Sequence, residues 1–188
     1  MKFFQAACIL FLFFLNTCAE KKQGDAELLR DFLYKYFDIP FNVSEAHIGL
    51  FKADSESFKE LIRKNFLNNY IAKPDEASKK IIEDRMKKTD CFLKLEKNNS
   101  VSMLTISPDG FPGINNGQYK LVSKTDLKMV LFGKNDSVNA NADIRPDGDL
   151  LYSDPHGKLL FHRIEAKPAI LADYYYQQFQ QHQKESDY

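Results

Sequence analysis

From Cys91 to Ile164 the apolar rhythm of this chain changes from helical to alternating, and turn-forming clusters interrupt it at short intervals. Such a segment reads as a series of short strands, predicted at 91–96, 101–107, 118–123, 127–132, 138–144, 150–152 and 159–164. The punctuation between them is hairpin chemistry: Asn98-Asn99, Lys124-Thr125-Asp126, Lys134-Asn135-Asp136, Pro146-Asp147-Gly148-Asp149 and Asp154-Pro155-His156-Gly157. Short loops force neighbours to run antiparallel, which gives an up-and-down meander. Only the connector 108–117 is long, and its glycines with Pro112 suggest a mobile flap over one end of the sheet. Val138, Ala140, Ala142 and Ile144 alternate cleanly with Ser137, Asn139, Asn141 and Asp143, so that strand has one buried and one wet face. Leu127, Met129 and Leu131 alternate with Lys128, Val130 and Phe132, which reads as a strand covered on both sides over most of its length.

Helical spacing governs what comes before. Asp25 is placed to cap a helix carrying Leu28, Leu29, Phe32, Leu33, Tyr36 and Phe37, which Pro40 ends. Ser57 with Glu60 reads as a capping box for a second, with Leu61, Ile62, Phe66 and Tyr70 on its apolar face. Pro74 opens a third, reaching about Lys88. Residues 46–51 fit a strand or a turn equally well. A last helix over 168–183 carries Ile170, Leu171, Tyr174, Tyr175 and Phe179, before a frayed tail at 184–188. The fold class is therefore α+β: N-terminal helices over 25–88, a β-meander or partly closed barrel over 91–164, and a C-terminal helix, all in one domain spanning 25–183.

The first eighteen residues have a different layout. Lys2, an apolar run from Ala6 to Leu15 and small polar residues before Cys18 match a secretory signal peptide, and the run is shorter than the roughly 20 residues a membrane span requires. Leu15-Asn16-Thr17-Cys18 resembles the lipobox of bacterial lipoproteins. That resemblance implies removal of residues 1–17, acylation of Cys18, a lipidated tether over 18–24 and residence in the bacterial cell envelope. Ala19 favours the outer over the inner membrane in the same resemblance. The alternative is ordinary cleavage after Ala19, which discards Cys18. With Cys8 in the signal and Cys18 acylated, Cys91 is left alone, a small buried hydrophobe at the start of a strand. The charge is balanced, 26 Lys and Arg against 26 Asp and Glu, and no basic cluster interleaves with aromatics, so nucleic acid is not an expected partner.

The runs Phe92-Leu93-Lys94-Leu95-Glu96, Gly117-Gln118-Tyr119-Lys120-Leu121, Leu127-Lys128-Met129 and Asp147-Gly148-Asp149-Leu150 through to Phe161-His162-Arg163 resemble, in their order, the small lipocalin-like domains of bacterial lipoproteins. The resemblance covers about residues 86 to 164. It implies a meander closing into a barrel whose last strand ends in Phe161 and Arg163. A barrel of about eight strands is just wide enough to be filled by side chains or to hold one small ligand. Small residues at Val138, Ala140 and Ala142, facing Leu93, Leu95 and Met129, are the candidate ligand lining; the 16 phenylalanines are the material that would fill the space instead.

No nucleophile elbow, phosphate loop, zinc motif or dinucleotide loop is present in the sequence. Asp147, Asp149, Asp154, His156 and His162 gather near one end of the meander, but the aspartates sit in turn-forming contexts, and no metal, cofactor or catalytic residue is expected. The expectation is a non-enzymatic binding module anchored to the membrane, taking an apolar small molecule, a lipid or an envelope protein. Its rivals are a surface interaction or adhesion protein with a filled core and, behind it, a hydrolase using Asp154 and His156.

Overall fold

The computed structural model describes residues 24–38, 47–61, 80, 84, 88–133, 136–165 and 167–186. The signal segment, Cys18, Pro40, most of the second and third helices and the Lys134-Asn135 turn lie outside them. Contacts divide the chain into two compact units, 1–38 with 167–188 and 39–166, where the sequence suggested one domain over 25–183.

In the first unit, helix α1 spans 24–37, starting before the expected Asp25 cap, and a C-terminal helix spans Pro168–Ser186 and continues through part of the expected tail. The expected apolar stripe of α1 is buried at Leu29, Leu33, Tyr36 and Phe37, while Leu28 is exposed. On the C-terminal helix the buried stripe is Ala172, Tyr175 and Phe179, narrower than expected because Ile170 and Tyr174 face outward. Phe37 stacks on Tyr175 at 5.9 Å, the Tyr34 hydroxyl donates to Asp173, and the Arg30 guanidinium lies over the rings of Tyr34 and Tyr176.

The second unit is an up-and-down meander that closes completely. Its strands are β1 Gly49–Ala53, β2 Asp90–Leu95, β3 Ser100–Ile106, β4 Pro112–Leu121, β5 Asp126–Phe132, β6 Ser137–Ile144, β7 Leu150–Asp154 and β8 Gly157–Arg163, each antiparallel to its neighbours. Closure comes from β1, in the segment the sequence left open: Phe51 pairs with Arg163, Lys52 with His162 and Ala53 with Phe161. Two flanking bonds extend the seam, Asp54 N–H to the Leu160 carbonyl at 2.7 Å and Ile164 N–H to the Leu50 carbonyl at 2.9 Å.

The hairpins obey their turn chemistry. Asn99 takes φ +63°, Gly148 takes φ +88°, and the side chains of Asn98, Asp147 and Asp154 accept backbone N–H groups within their own turns.

Two expectations are corrected. The segment 108–117 is not a flap: from Pro112 onward it is strand, paired residue for residue with β3, and the turn is confined to Ser107 through Phe111 with Gly110 at φ +79°. Its glycines serve close packing, since a Cβ on Gly117 would fall 1.9 Å from the Val130 carbonyl oxygen. The strand buried on both faces is β2 rather than β5. Phe92 and Lys94 are buried on its outer side and Cys91, Leu93 and Leu95 on its inner side, whereas Lys128 and Phe132 of β5 face outward and exposed.

Candidate functional site: the barrel lumen and its ends

The register decides which side chains face the lumen. Phe51 and Ala53 of β1 share a side with Leu93, Leu95 and Cys91 of β2, with Tyr119 of β4, with Leu127, Met129 and Leu131 of β5, and with Ala140, Ala142 and Ile144 of β6. Val101 of β3, Leu150 and Tyr152 of β7 and Leu159 and Phe161 of β8 complete the ring. Of the six residues proposed from sequence, Leu93, Leu95, Met129, Ala140 and Ala142 are buried in this one cluster, with Met129 directly opposite Ala140. Val138 points the same way but is half-buried, near the end of its strand. Sequence reading missed Phe51, because its strand was undecided. It missed Tyr119 and Tyr152 as lumen residues, although both alternate in phase with the inward sets of their strands.

At one end, that of the β2–β3 and β4–β5 hairpins, Arg163 covers the wall. Its guanidinium lies 4.8 Å over the Phe51 ring and donates to the Ile48 carbonyl at 3.0 Å. Burial presses it below the usual guanidinium value, which leaves it charged at any ordinary pH. Tyr119, on the same end, donates its hydroxyl to the Glu96 carbonyl at 2.7 Å.

The opposite end is stoppered from within the chain. Helix α2, described over 55–61, enters directly after β1 and sends Phe58 and Leu61 into the barrel core. The sequence placed its cap at Ser57; the cap is Asp54, whose Oδ2 accepts Ser57 N–H at 2.8 Å while its carbonyl accepts Phe58 N–H at 3.0 Å. Ser57 instead accepts the Leu160 N–H on its hydroxyl at 3.3 Å, tying α2 to β8. Leu61 fills the space above Gly157, where a Cβ would lie 2.5 Å from its methyl.

Titratable groups around the lumen are quiet ones. Cys91 is buried, and burial with Asp90 beside it pushes its thiol up to about 12, far from a reactive thiolate. Burial and the Asp154 carboxylate push the Tyr152 phenol up as well, and its hydroxyl donates to Asp154 Oδ2 at 3.0 Å. The other Asp154 oxygen accepts the backbone N–H of His156 and of Gly157. Asp154 and the backbone of His156 are therefore joined in one turn. Outside the barrel His162 does bring carboxylates together, with Nδ1 at 2.7 Å from Asp149 Oδ2 and Nε2 at 3.7 Å from Asp54 Oδ1. Among the described residues no three His, Cys, Asp or Glu side chains converge as a metal site would require.

No family model and no curated protein matches the sequence. Among solved structures the chain is similar to As-p18, an extracellular fatty acid binding protein, at TM-score 0.40 and 11% identity over 64% of this chain and 97% of that one. It is also similar to the fluorescent protein UnaG, at TM-score 0.36 and 14% identity over 65% of this chain and 100% of that one. A Schistosoma mansoni fatty acid binding protein in complex with arachidonic acid scores 0.35 at 10% identity, over 66% and 100%. Scores this low leave the strand pairing itself as the ground for the fold.

Proposed function

We propose that the protein is a non-enzymatic binding module of the bacterial envelope, tethered by acylated Cys18 and taking an apolar small molecule or lipid into its barrel. The observation that supports this is the way the two ends are closed. One end is fixed by the Arg163 stack and its bond to Ile48, the other by a short helix whose Phe58 and Leu61 occupy the position a ligand would enter. Behind that stopper the middle of β6 contributes two methyl groups, Ala140 and Ala142, against Met129 and Leu127. Withdrawal of α2 would expose an apolar lumen lined on one wall by small side chains, the form a single apolar ligand fits.

The second reading, an interaction protein with a filled core, is favoured by a different observation: the inward side chains from β1 to β8 already form one connected cluster that includes Phe51, Tyr152 and Phe161. A fluorescent fatty acid separates the two. Under the first reading it binds at one per chain, and Ala140→Phe weakens it. Under the second the probe does not bind, and Ala140→Phe costs the roughly 1 to 3 kcal/mol typical of overpacking a solid core. Chemical denaturation of the variant is measured beside its titration.

A further inference from the structure

The outer wall of the barrel carries a row of polar side chains that a lumen ligand would not touch. The register sets Lys120 beside Lys128, Lys128 beside Asn141, Asn141 beside Ser153 and Ser153 beside Lys158, a continuous line across β4 to β8. One row along, Gln118, Val130 and Asn139 stand side by side. Gln118, Lys120, Lys128, Val130, Asn139 and Asn141 line an outward groove of about 540 Å³ with no carboxylate in its walls. A second concavity of about 410 Å³ shares Lys128 and Asn141 and leads on to Ser153 and Lys158, with Asp126 and Asp143 in its walls.

Three features mark the groove as a place for an anion. The two lysines lie directly opposite each other, a like-charge cross-strand pair that weakens a sheet unless something negative lies between. Neither lysine, and none of the three amides, bonds or pairs with any described residue. The carboxylates of Asp126 and Asp143, paired with each other one row away, about 7 Å along the strands, line the second concavity and not this groove, and Asp126 is engaged by the Ser123 hydroxyl at 2.6 Å. The amides supply both donors and acceptors, and Val130 supplies an apolar floor.

We propose that this groove binds an acidic saccharide: a sugar carboxylate between the Lys120 and Lys128 ammonium groups, ring hydroxyls on Gln118, Asn139 and Asn141, and the C–H face of the ring against Val130. The polar line from Lys120 to Lys158 runs around five of the eight strands, so it follows a convex surface that a flat bilayer can touch only along a stripe. This site is independent of the lumen.

The test is calorimetric titration of the full chain with oligogalacturonate, its methyl ester and, as controls, duplex DNA and phosphatidylglycerol vesicles. Lys120→Gln and Lys128→Gln change exposed side chains, and circular dichroism checks their folds. Binding of oligogalacturonate that falls about tenfold or more in each variant, as loss of a charged hydrogen bond implies, with the methyl ester bound weakly, is the expected result. No binding, binding indifferent to both lysines, equal binding of the ester, or equal binding of DNA or vesicles would overturn the proposal.

Discussion

At Arg163 one charged side chain joins the last strand to the residue that begins the first. Its guanidinium covers the Phe51 ring, bonds the Ile48 carbonyl and lies where any side chain at position 49 would have to go, 2.7 Å from a Cβ built on Gly49. A stacked cation of this kind contributes about 0.5 to 2 kcal/mol and its bond to a carbonyl about as much again. Arg163→Ala should therefore lower the unfolding free energy by about 2 kcal/mol, read as a shift of the urea midpoint. Arg163→Lys should recover little, because an ammonium cannot spread over a ring and reach the carbonyl in one plane. An unchanged midpoint in the alanine variant would remove this residue from the account of closure. Phe161 and Arg163 lie in β8, the last strand, which ends at Arg163. Their partner Phe51 was not legible, since no local period marks a strand of five residues whose hydrogen-bonding neighbours are distant in sequence.

Among the elements, α2 shows what a sequence pattern conceals. Ser57 and Glu60 have capping-box spacing, but Asp54 ends β1 and its carboxylate reaches Ser57 N–H first, so the helix starts earlier and the serine is released to hold β8. Asp54 also faces His162, which faces Asp149 in turn, with Lys52 paired beside it on β1 and bound to Asp90. The Ser57 N–H bond holds the Asp54 carboxyl below its ordinary value of 3.8, and the Asp149 hydrogen bond raises His162 above 6.5. A lowered carboxylate stabilises the fold above its unfolded value and loses that effect as pH falls through the folded one. A raised imidazole stabilises below its unfolded value and loses the effect as pH rises through the folded one. Both contributions are present together between 3.8 and 6.5. Thermal midpoints should thus be highest in that window and decline shallowly above it, because the imidazole is half in water. His162→Gln should abolish the alkaline part of the decline; a variant that keeps it would assign the effect elsewhere. The β4 misreading has a similar origin, since the glycines and prolines of 108–117 spell a loop locally, while pairing to β3 places Pro112, Gly113 and Gly117 in a strand.

At the scale of the whole molecule, seven strands and their antiparallel order were legible because the hairpins other than β3–β4 are written in their own turn residues. Closure was not, because it depends on β1 joining β2 on one side and β8 on the other across most of the chain. Closure leaves no strand edge among the described residues for other chains to extend. Among the described residues no helix is long and apolar enough to cross a membrane. The proposed tether rests on Leu15 to Cys18 and makes a sharp demand. One acyl chain holds a protein only marginally, whereas three add roughly 0.8 kcal/mol for every methylene they bury, which makes attachment permanent. Cys18→Ala should abolish incorporation of a labelled fatty acid and release the exported protein from the membrane fraction, while the barrel keeps its unfolding midpoint because position 18 precedes every described element. Equal labelling of the variant and the wild type would refute the anchor and leave the barrel to act free of the membrane.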